Sequence, residues 1–351
     1  MVSASDIYTQ NNRLALVFTD TVITDRIIRI LRHHHIFSVP IKTEDEIAAA
    51  LEFKPVKPII SEELKEKAVT GIRHLFEAVL DDSPNNMTTA YHAVRELDEV
   101  VDKLVDTLAA ESRALVHIAD LKSYDEYTFH HSLSVAVLSI AIGQGLNLSD
   151  DELRLLGRTA LMHDIGKILI PAKIINKPSR LTKKEFALMK KHSELGHNFL
   201  SKGNIGDDML RRAVLSHHEK ADGRGYPEGV RGDDIPFFAK IISVADVYDA
   251  VTSYRSYRMP MPPSEALEII MGDIGSAFEY EIVKTFIEKL EFYPVNTCVE
   301  LSDGRRGVVT DNANIMRPVL TMFDTGEKLD LLDFNNLTLI ITRVVDNHAD
   351  R

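Results

Sequence analysis

The sequence predicts a mainly α-helical protein, in which a helical bundle lies between a small N-terminal α+β module and a small C-terminal β-rich appendage. From Met87 to about Glu291, apolar residues recur at three- and four-residue spacing, which is typical of helices that bury one face. The last 60 residues instead contain short β-rich runs separated by DG, DN and TG turn signals. These two patterns define the fold class.

The N-terminal module is predicted over residues 1–55. The stretch "DIYTQNNRLALVF" alternates around Asn11 and Asn12 as a β-hairpin does, and "TDTVITDRIIRILRHHH" then changes to helical spacing. The three histidines at 33–35 cannot share one helix face, so a polar helix end is a better interpretation of them than a metal site. Pro55 and Pro58 break the periodicity and mark a linker.

A helical linker or regulatory segment is predicted over residues 56–122. It begins at "SEELKEKAVTGIRHLFEAVL", where we expect Ser61 to be the N-cap and a glutamate at the third helical position to complete a capping box. The catalytic domain is predicted over residues 123–291, and the β-rich appendage over residues 292–351.

Composition limits the classes of partner and location. The chain has 351 residues, 44% of them hydrophobic, and its net charge of −12 comes without a long basic run, so a nucleic-acid polymer is not an expected partner. Cys298 is the single cysteine, which excludes a disulfide framework and fits a reducing compartment. No signal peptide and no apolar run of about 20 residues is present. We expect a cytoplasmic protein without a membrane span; the sequence indicates no oligomeric state.

Histidines and acids with metal-ligand chemistry are concentrated in five short pieces of the helical region. A single histidine on a helix is more often a core or surface residue than a ligand, but imidazole and carboxylate together are the ligands of divalent transition metals. This set contains more histidines than one metal uses, which indicates at least two metals: His131, His163, Asp164, His192, His217, His218, Asp246 and Asp249.

Lys167 follows "HD" in the piece "HDIGK". Adjacent His163 and Asp164 would point about 100° apart on a helix, so both can face a metal only at the inner wall of the bundle. Lys167 lies one turn further on, where its ammonium could bind a phosphate oxygen or assist the leaving group. Its alternative interpretation is a surface lysine at a helix C-terminus.

The order H, HD, H, HH, D, with "HDIGK" and "HHEKADGRGYP" in place, resembles the HD-GYP family, a branch of the HD hydrolase superfamily that degrades cyclic di-GMP. The resemblance covers roughly residues 124–291 and continues in "KIINKPSRLTKKEFALMKKHSELG" and "IPFFAKIISVADVYDAVTSYRSYR". It implies an HD-type helical bundle. It also implies one metal held by His131, His163, Asp164 and Asp246, with Asp164 bridging to a second metal held by His192, His217 and His218.

The GYP loop comprises Asp222, Gly223, Gly225, Tyr226 and Pro227. Taken alone, it is best interpreted as a tight connection in which Asp222 caps a turn. The resemblance instead implies that the loop borders the substrate pocket, that Tyr226 contacts substrate, and that the loop docks a protein partner such as a GGDEF-domain protein.

The resemblance also implies substrate contacts outside the loop. Arg255 and Arg258 match basic positions near the substrate phosphates and guanine, although each could equally be a solvated helix end. Asp249 lies three residues after Asp246, on the same helix face, and is expected to orient a ligand histidine.

The implied reaction is hydrolysis of cyclic di-GMP to linear pGpG by a hydroxide that two divalent metal ions activate, with Asp164 and Lys167 as the catalytic residues. All-N/O ligation favours iron or manganese over zinc. Some family members carry a glutamate four residues before the first ligand histidine and bind a third metal. Here that position is Tyr127, with Glu126 on another face, so we expect a dinuclear centre and slow conversion to GMP. The alternatives are another cyclic dinucleotide such as cyclic GMP-AMP, a catalytically weak receptor, and a docking protein.

Overall fold

The computed structural model describes residues 59–81, 83, 85–110, 127–253, 261–289, 291–323 and 325–345, together with short pieces between residues 2 and 42. The chain divides into two compact units. One combines Met1–Lys57 with Tyr293–Arg351, and the other is Pro58–Phe292. The four-part division of the sequence stays a prediction, and its boundary at residues 122 and 123 lies outside the described residues.

Among its described N-terminal residues, the first unit contains two small strand pairs and one helix. Strand β1 (Val2–Ser3) pairs antiparallel with β4 (Ile41–Lys42), and β2 (Ile7–Tyr8) pairs antiparallel with β3 (Ala15–Val17). The β2–β3 pairing joins Ile7 with Val17 and Tyr8 with Ala15, with a register shift between them, and it agrees with the predicted hairpin; Asn11 and Asn12 lie outside the described residues. Helix α1 (Asp25–His33) buries Leu31 against Ile7 and Val17.

The same unit contains the C-terminal β structure. The strands are β5 (Cys298–Leu301), β6 (Arg306–Asp311), β7 (Val319–Met322), β8 (Lys328–Asp330) and β9 (Ile341–Val344). They form one antiparallel sheet in the order β8-β7-β6-β5-β9. Cys298, Val308 and Val345 are buried and form one cluster.

The second unit is helical throughout its described residues. Its α-helices are α2 (Glu62–Leu80), α3 (Asn86–Ala110), α4 (Tyr127–Gly145), α5 (Asp150–Met162), α6 (Ala172–Ile175), α7 (Lys183–Met189), α8 (His192–Lys202), α9 (Asp208–Ser216), α10 (Phe237–Thr252), α11 (Pro263–Gly272) and α12 (Tyr280–Lys289). The described part of this unit also contains the 3₁₀ helices Ile165–Leu169 and Gly232–Asp234.

Helix α4 lies at the centre of this unit. Leu133, Leu138 and Ile140 are fully buried because α4 is apolar on nearly every side and packs against α5, α10 and α12. Helices α2 and α3 pack on each other, and α2 also contacts the 3₁₀ helix Ile165–Leu169. The helical segment before residue 123 therefore packs against the piece of chain that contains "HDIGK".

Several helix ends are fixed by polar side chains. Ser149 and Thr182 form capping boxes with Glu152 and Glu185, satisfying backbone N–H groups that have no partner inside the helix. Ser61 caps α2 by accepting a hydrogen bond from the backbone N–H of Leu64. The expected capping box is wrong there, because Leu64 and not a glutamate occupies the third helical position. Among the described residues, no helix combines the length and hydropathy needed to cross a bilayer.

Candidate metal centre

Five different segments of the helical unit bring the predicted ligands to one place. His131 lies in the second turn of α4, His163 and Asp164 lie at the junction of α5 with the 3₁₀ helix, and His192 begins α8. His217 and His218 follow the last turn of α9, and Asp246 lies in α10. All of these side chains are buried except that of His218, which is 22% exposed.

The junction after α5 differs from the helix assumed in the sequence analysis. The α-helix ends at Met162, and Asp164 adopts φ −100° and ψ 8° before the 3₁₀ helix begins. This change of backbone path directs both side chains to the same point, so Asp164 Oδ2 lies 3.2 Å from His163 Nε2. The bend thus brings together two neighbours that a continuous helix would hold about 100° apart.

Backbone carbonyls fix the tautomer of three of the histidines. The Nδ1 atoms of His163, His192 and His217 lie 2.7, 2.8 and 2.7 Å from carbonyl oxygens three residues earlier in the chain. A carbonyl only accepts hydrogen bonds, so each Nδ1 carries the proton and donates it. In the neutral ring, Nε2 is then left with an exposed lone pair.

These lone pairs converge. Nε2 of His192 lies 3.2 Å from Nε2 of His217, and both rings are buried. Two acceptors at this distance cannot hydrogen-bond to each other, whereas a cation between or beside them would satisfy both. Asp164 Oδ1 lies 3.3 Å from His192 Nε2 and is buried with no hydrogen-bond partner among the described residues. The donor set therefore fits divalent metal ions.

Two ligand groups overlap at one carboxylate. The first consists of Asp164, His192, His217 and His218, and the second of His131, His163 and Asp164. In each group the ligand atoms lie within 4.8 Å of one another. Asp164 belongs to both, and a carboxylate with two oxygens can bridge two cations.

His131 is held between two acids of α10. Its Nδ1 lies 2.7 Å from Asp249 Oδ2, and its Nε2 lies 3.1 Å from Asp246 Oδ1. Asp249 also accepts a hydrogen bond from the hydroxyl of Ser253, at 3.2 Å. The spacing of three residues in α10 thus gives the two acids different positions: Asp246 faces the cluster, and Asp249 orients His131 from behind.

Burial favours the neutral form of the His192 and His217 imidazoles. It lowers the pKa of His192 to about 4, with Asp164 opposing the shift, and burial next to His218 lowers the pKa of His217 as well. Burial alone would raise the pKa of Asp164, but the nearby His163 ring and the Lys167 ammonium hold it well below the usual value. At neutral pH His192 and His217 therefore offer neutral nitrogen ligands, and Asp164 offers a charged carboxylate.

Lys167 lies at the edge of this cluster. Its ammonium donates to Asp164 Oδ2, and its side chain is 23% exposed, so it reaches from the buried carboxylate toward solvent. The expectation that Lys167 lies beside the ligands is met, although the spacing arises in a 3₁₀ helix rather than an α-helix.

The GYP loop packs directly on the cluster. The Tyr226 ring lies on the His218 ring with centroids 4.7 Å apart and planes 30° apart. Gly225 allows this approach, because a Cβ there would lie 2.4 Å from the Glu219 Cα and 2.6 Å from the His218 carbonyl oxygen. The loop therefore borders the candidate centre, as the resemblance implies.

The remaining loop residues shape its backbone. Gly223 has a positive φ of 77°, which favours glycine, and Pro227 follows Tyr226 through a cis peptide bond. Asp222 accepts hydrogen bonds from the backbone N–H and the guanidinium of Arg224, so it closes a turn.

The sequence of this chain matches a known family and named relatives. A family model described as "HD domain" matches residues 102–282. The chain belongs to the HD domain family. A curated relative is "Cyclic di-GMP phosphodiesterase PA4108" of Pseudomonas aeruginosa, 32% identical over 77% of this chain and 65% of that protein. Another is "3'3'-cGAMP-specific phosphodiesterase 3" of Vibrio cholerae, 37% identical over 50% of this chain and 38% of that protein.

A solved structure with the same fold is Bd1817, described as a HDG"Y"P protein from Bdellovibrio bacteriovorus. It superposes with a TM-score of 0.55 at 19% identity and covers 82% of this chain and 94% of that chain. This structure confirms the mainly helical fold, and the family model together with the phosphodiesterase relatives confirms the resemblance drawn from the sequence. The chain spans only part of the length of these curated relatives, 65% of the first and 38% of the second.

Two residues of the HD domain have roles that sequence reasoning missed. Gly166 brings the 3₁₀ helix against α8, because a Cβ there would lie 2.0 Å from the carbonyl oxygen of His192. Glu219 is buried, and its Oε1 accepts hydrogen bonds from the backbone N–H groups of Glu228 and Gly229 at 2.7 and 2.9 Å. Their places inside "HDIGK" and "HHEK" were the available signals.

Other predicted positions remain untested. Arg255, Arg258 and Glu126 lie outside the described residues, as does the side chain of Tyr127. The substrate contacts expected of the two arginines, and the dinuclear centre expected because Tyr127 replaces a glutamate, therefore stay predictions.

Proposed function

We propose that this protein hydrolyses cyclic di-GMP to linear pGpG with the help of two divalent metal ions. The observation that carries the proposal is the convergence of tautomer-fixed imidazole lone pairs on a shared, buried carboxylate. These buried groups cannot satisfy each other by hydrogen bonds, because acceptor atoms face acceptor atoms. The names of relatives such as the Pseudomonas protein support cyclic di-GMP as substrate.

The proposed ligand assignment follows the two overlapping groups. His131, His163, Asp164 and Asp246 hold one ion, and Asp164 bridges to a second ion held by His192, His217 and His218. Support comes from the distances of 3.1 Å between His131 and Asp246 and 3.3 Å between His192 and Asp164.

The protein groups around the ions have separate tasks in this proposal. When bound, divalent metals supply an activated water and Lewis-acid stabilisation of the phosphate. Lys167 donates hydrogen bonds to a phosphate oxygen or to the leaving oxygen, since its ammonium extends from Asp164 toward solvent. Burial, followed by the charges of Asp246 and Asp164, raises the pKa of Tyr226, so its hydroxyl stays protonated and can donate to substrate.

We propose iron or manganese as the metals. Every candidate ligand offers nitrogen or oxygen, and room for substrate and water on each ion favours more than four ligands, which disfavours tetrahedral zinc. A cytoplasmic location is part of the proposal, because a reducing compartment keeps iron in the ferrous state. The end product is pGpG with slow conversion to GMP, and Arg255 and Arg258 are the proposed phosphate and guanine contacts.

A second candidate substrate is cyclic GMP-AMP. The Vibrio relative named for that nucleotide is 37% identical, so the alignment that supports cyclic di-GMP also includes enzymes for a mixed guanine and adenine substrate. A catalytically weak receptor, or a scaffold in which the GYP loop docks a GGDEF-domain protein, is the alternative without turnover. The intact donor set supports the enzyme.

The proposal is tested with protein purified without air, loaded with Fe²⁺ or Mn²⁺ and analysed for metal per chain. We expect about two ions and conversion of cyclic di-GMP to pGpG by chromatography. His192→Ala should lower turnover by more than about 100-fold together with metal content. The matched control is His197→Ala on the same helix, where His197 contacts Ser201 and not the cluster. A fully loaded wild-type protein that leaves every cyclic dinucleotide intact would contradict the proposal.

A further inference from the structure

An exposed aromatic residue outside the histidine, acid and GYP-loop motifs continues the ring contacts that begin at the metal cluster. Phe186 on α7 is 49% exposed, and its ring meets the Tyr226 ring edge to face with centroids 6.4 Å apart. Tyr226 in turn lies on His218. Phe186 is thus two ring contacts away from a candidate metal ligand, on the side of the site that faces solvent.

A lysine lies in the corner between the two rings. The ammonium of Lys190 is 5.6 Å from the Phe186 centroid and 5.4 Å from the Tyr226 centroid, within the range of cation–π interactions. Within the part of the chain that the structure describes, no carboxylate lies within ion-pair distance of Lys190 Nζ. Its positive charge is therefore available to a ligand.

Helix α7 carries Phe186, and Lys190 follows its last residue as the C-cap. Thr182 and Glu185 form a capping box at its start, and Glu185 also pairs with Lys177 at 2.6 Å. These contacts fix the N-terminus of the short helix that carries Phe186. The exposed ring is therefore held in place before a ligand binds, as a binding surface requires.

The chemistry of this corner matches a purine base. A cyclic dinucleotide brings two flat bases next to the phosphodiester that is cleaved, and an exposed aromatic ring offers a stacking surface for one of them. Lysine only donates hydrogen bonds, whereas the Hoogsteen edge of guanine has two acceptors, N7 and O6. Adenine replaces O6 with an amino donor, so the same lysine suits guanine better.

We propose that Phe186 and Lys190, together with Tyr226, form a subsite for one guanine base of the cyclic dinucleotide, an inference that rests on the function proposed above. Phe186 supplies the stacking surface, and Lys190 supplies selectivity for guanine over adenine. Both are binding residues that lie apart from the bond that is cleaved.

The test measures KM and kcat of metal-loaded protein with cyclic di-GMP and with cyclic di-AMP, and equilibrium affinity for both by calorimetry. Phe186→Ala should raise KM for cyclic di-GMP about tenfold with kcat nearly unchanged. Lys190→Met should lower the preference for cyclic di-GMP over cyclic di-AMP by about tenfold. The matched controls are Leu188→Ala, 42% exposed on the same helix, and Lys191→Met, the neighbouring exposed lysine.

The outcomes separate this inference from the proposed function. If the wild type hydrolyses cyclic di-GMP but Phe186→Ala has the same KM, or Lys190→Met weakens both nucleotides equally, the guanine subsite is refuted and the phosphodiesterase stands. If the wild type binds cyclic di-GMP without cleaving it, the proposed function fails, and the affinities of the same variants still decide the subsite. A wild type that binds neither nucleotide overturns both.

Discussion

Gly166 lies between Asp164 and Lys167, where the 3₁₀ helix passes against the start of α8. Its φ lies outside the left-handed region, so an alanine there meets no backbone restriction of its own. The obstacle is space. An added Cβ would lie 2.0 Å from the carbonyl oxygen of His192 and 2.5 Å from the backbone nitrogen of Gly196, and neither backbone atom can rotate away.

The size of the effect follows from these distances. Real Cβ contacts are essentially never shorter than 3.0 Å, so Gly166→Ala must move the 3₁₀ helix away from α8 by roughly 1 Å. Overpacking of this kind costs about 1–3 kcal/mol of unfolding free energy. This movement would separate Asp164, at the start of the 3₁₀ helix, from His192, at the start of α8. A misplacement of about 1 Å can reduce a rate about 100-fold.

The assay compares three alanine variants for thermal unfolding midpoint, metal per chain and kcat/KM. Gly166→Ala should lower the midpoint by about 5 °C and kcat/KM about 100-fold. Gly196→Ala should have a smaller effect, since its Cβ would lie 3.1 Å from Ile165. Gly272→Ala should be neutral, because no atom beyond its chain neighbours and its own helix backbone lies within 4 Å of the added Cβ. Full activity and metal content in Gly166→Ala, or a reversed order of the three variants, would refute the reasoning.

Three further predictions follow from the contacts of the site. Asp249→Ala should weaken metal binding about 10- to 100-fold in a metal titration, because His131 loses its orienting acceptor; Asp249→Asn, which still accepts from Nδ1, should retain most of the affinity. Glu219→Ala should raise KM more than it lowers kcat, since the loop loses two hydrogen bonds, and Glu219→Gln should keep KM near that of the wild type. In metal-free protein, the unfolded His192 side chain takes up a proton near pH 6.5 and the folded one only near pH 4. The free energy of unfolding should therefore decrease as the pH is lowered from about 6.5 to about 4, by up to about 1.4 kcal/mol per pH unit, in urea titrations. An equal slope in His192→Gln would contradict this.

The helical unit and most of the site could be predicted because the first has a periodic apolar pattern and the second has residue types with a specific chemistry. Apolar spacing identifies α3, and the residue types of His131, His192 and Asp246 identify metal chemistry wherever they meet. The turn signals likewise predicted the C-terminal strands, which the structure pairs into one antiparallel sheet.

Other features depend on contacts between distant parts of the chain, so local patterns do not record them. The change of backbone path at Asp164 is set by how the 3₁₀ helix packs against α8, and helical spacing predicts a continuous helix there instead. The role of Gly166 appears only when the carbonyl of His192 is placed beside it. Phe186 has no motif of its own, and its interest comes from the ring of Tyr226, which lies 40 positions further along the chain.

Asp164 is common to both ligand groups, so the two ions of the proposed function would share one carboxylate and would not bind independently. The first would displace Lys167 from that carboxylate, which removes a competitor for the second. Release of either ion would then weaken the hold on the other. A cell that withholds the metal would silence such a protein without altering its abundance.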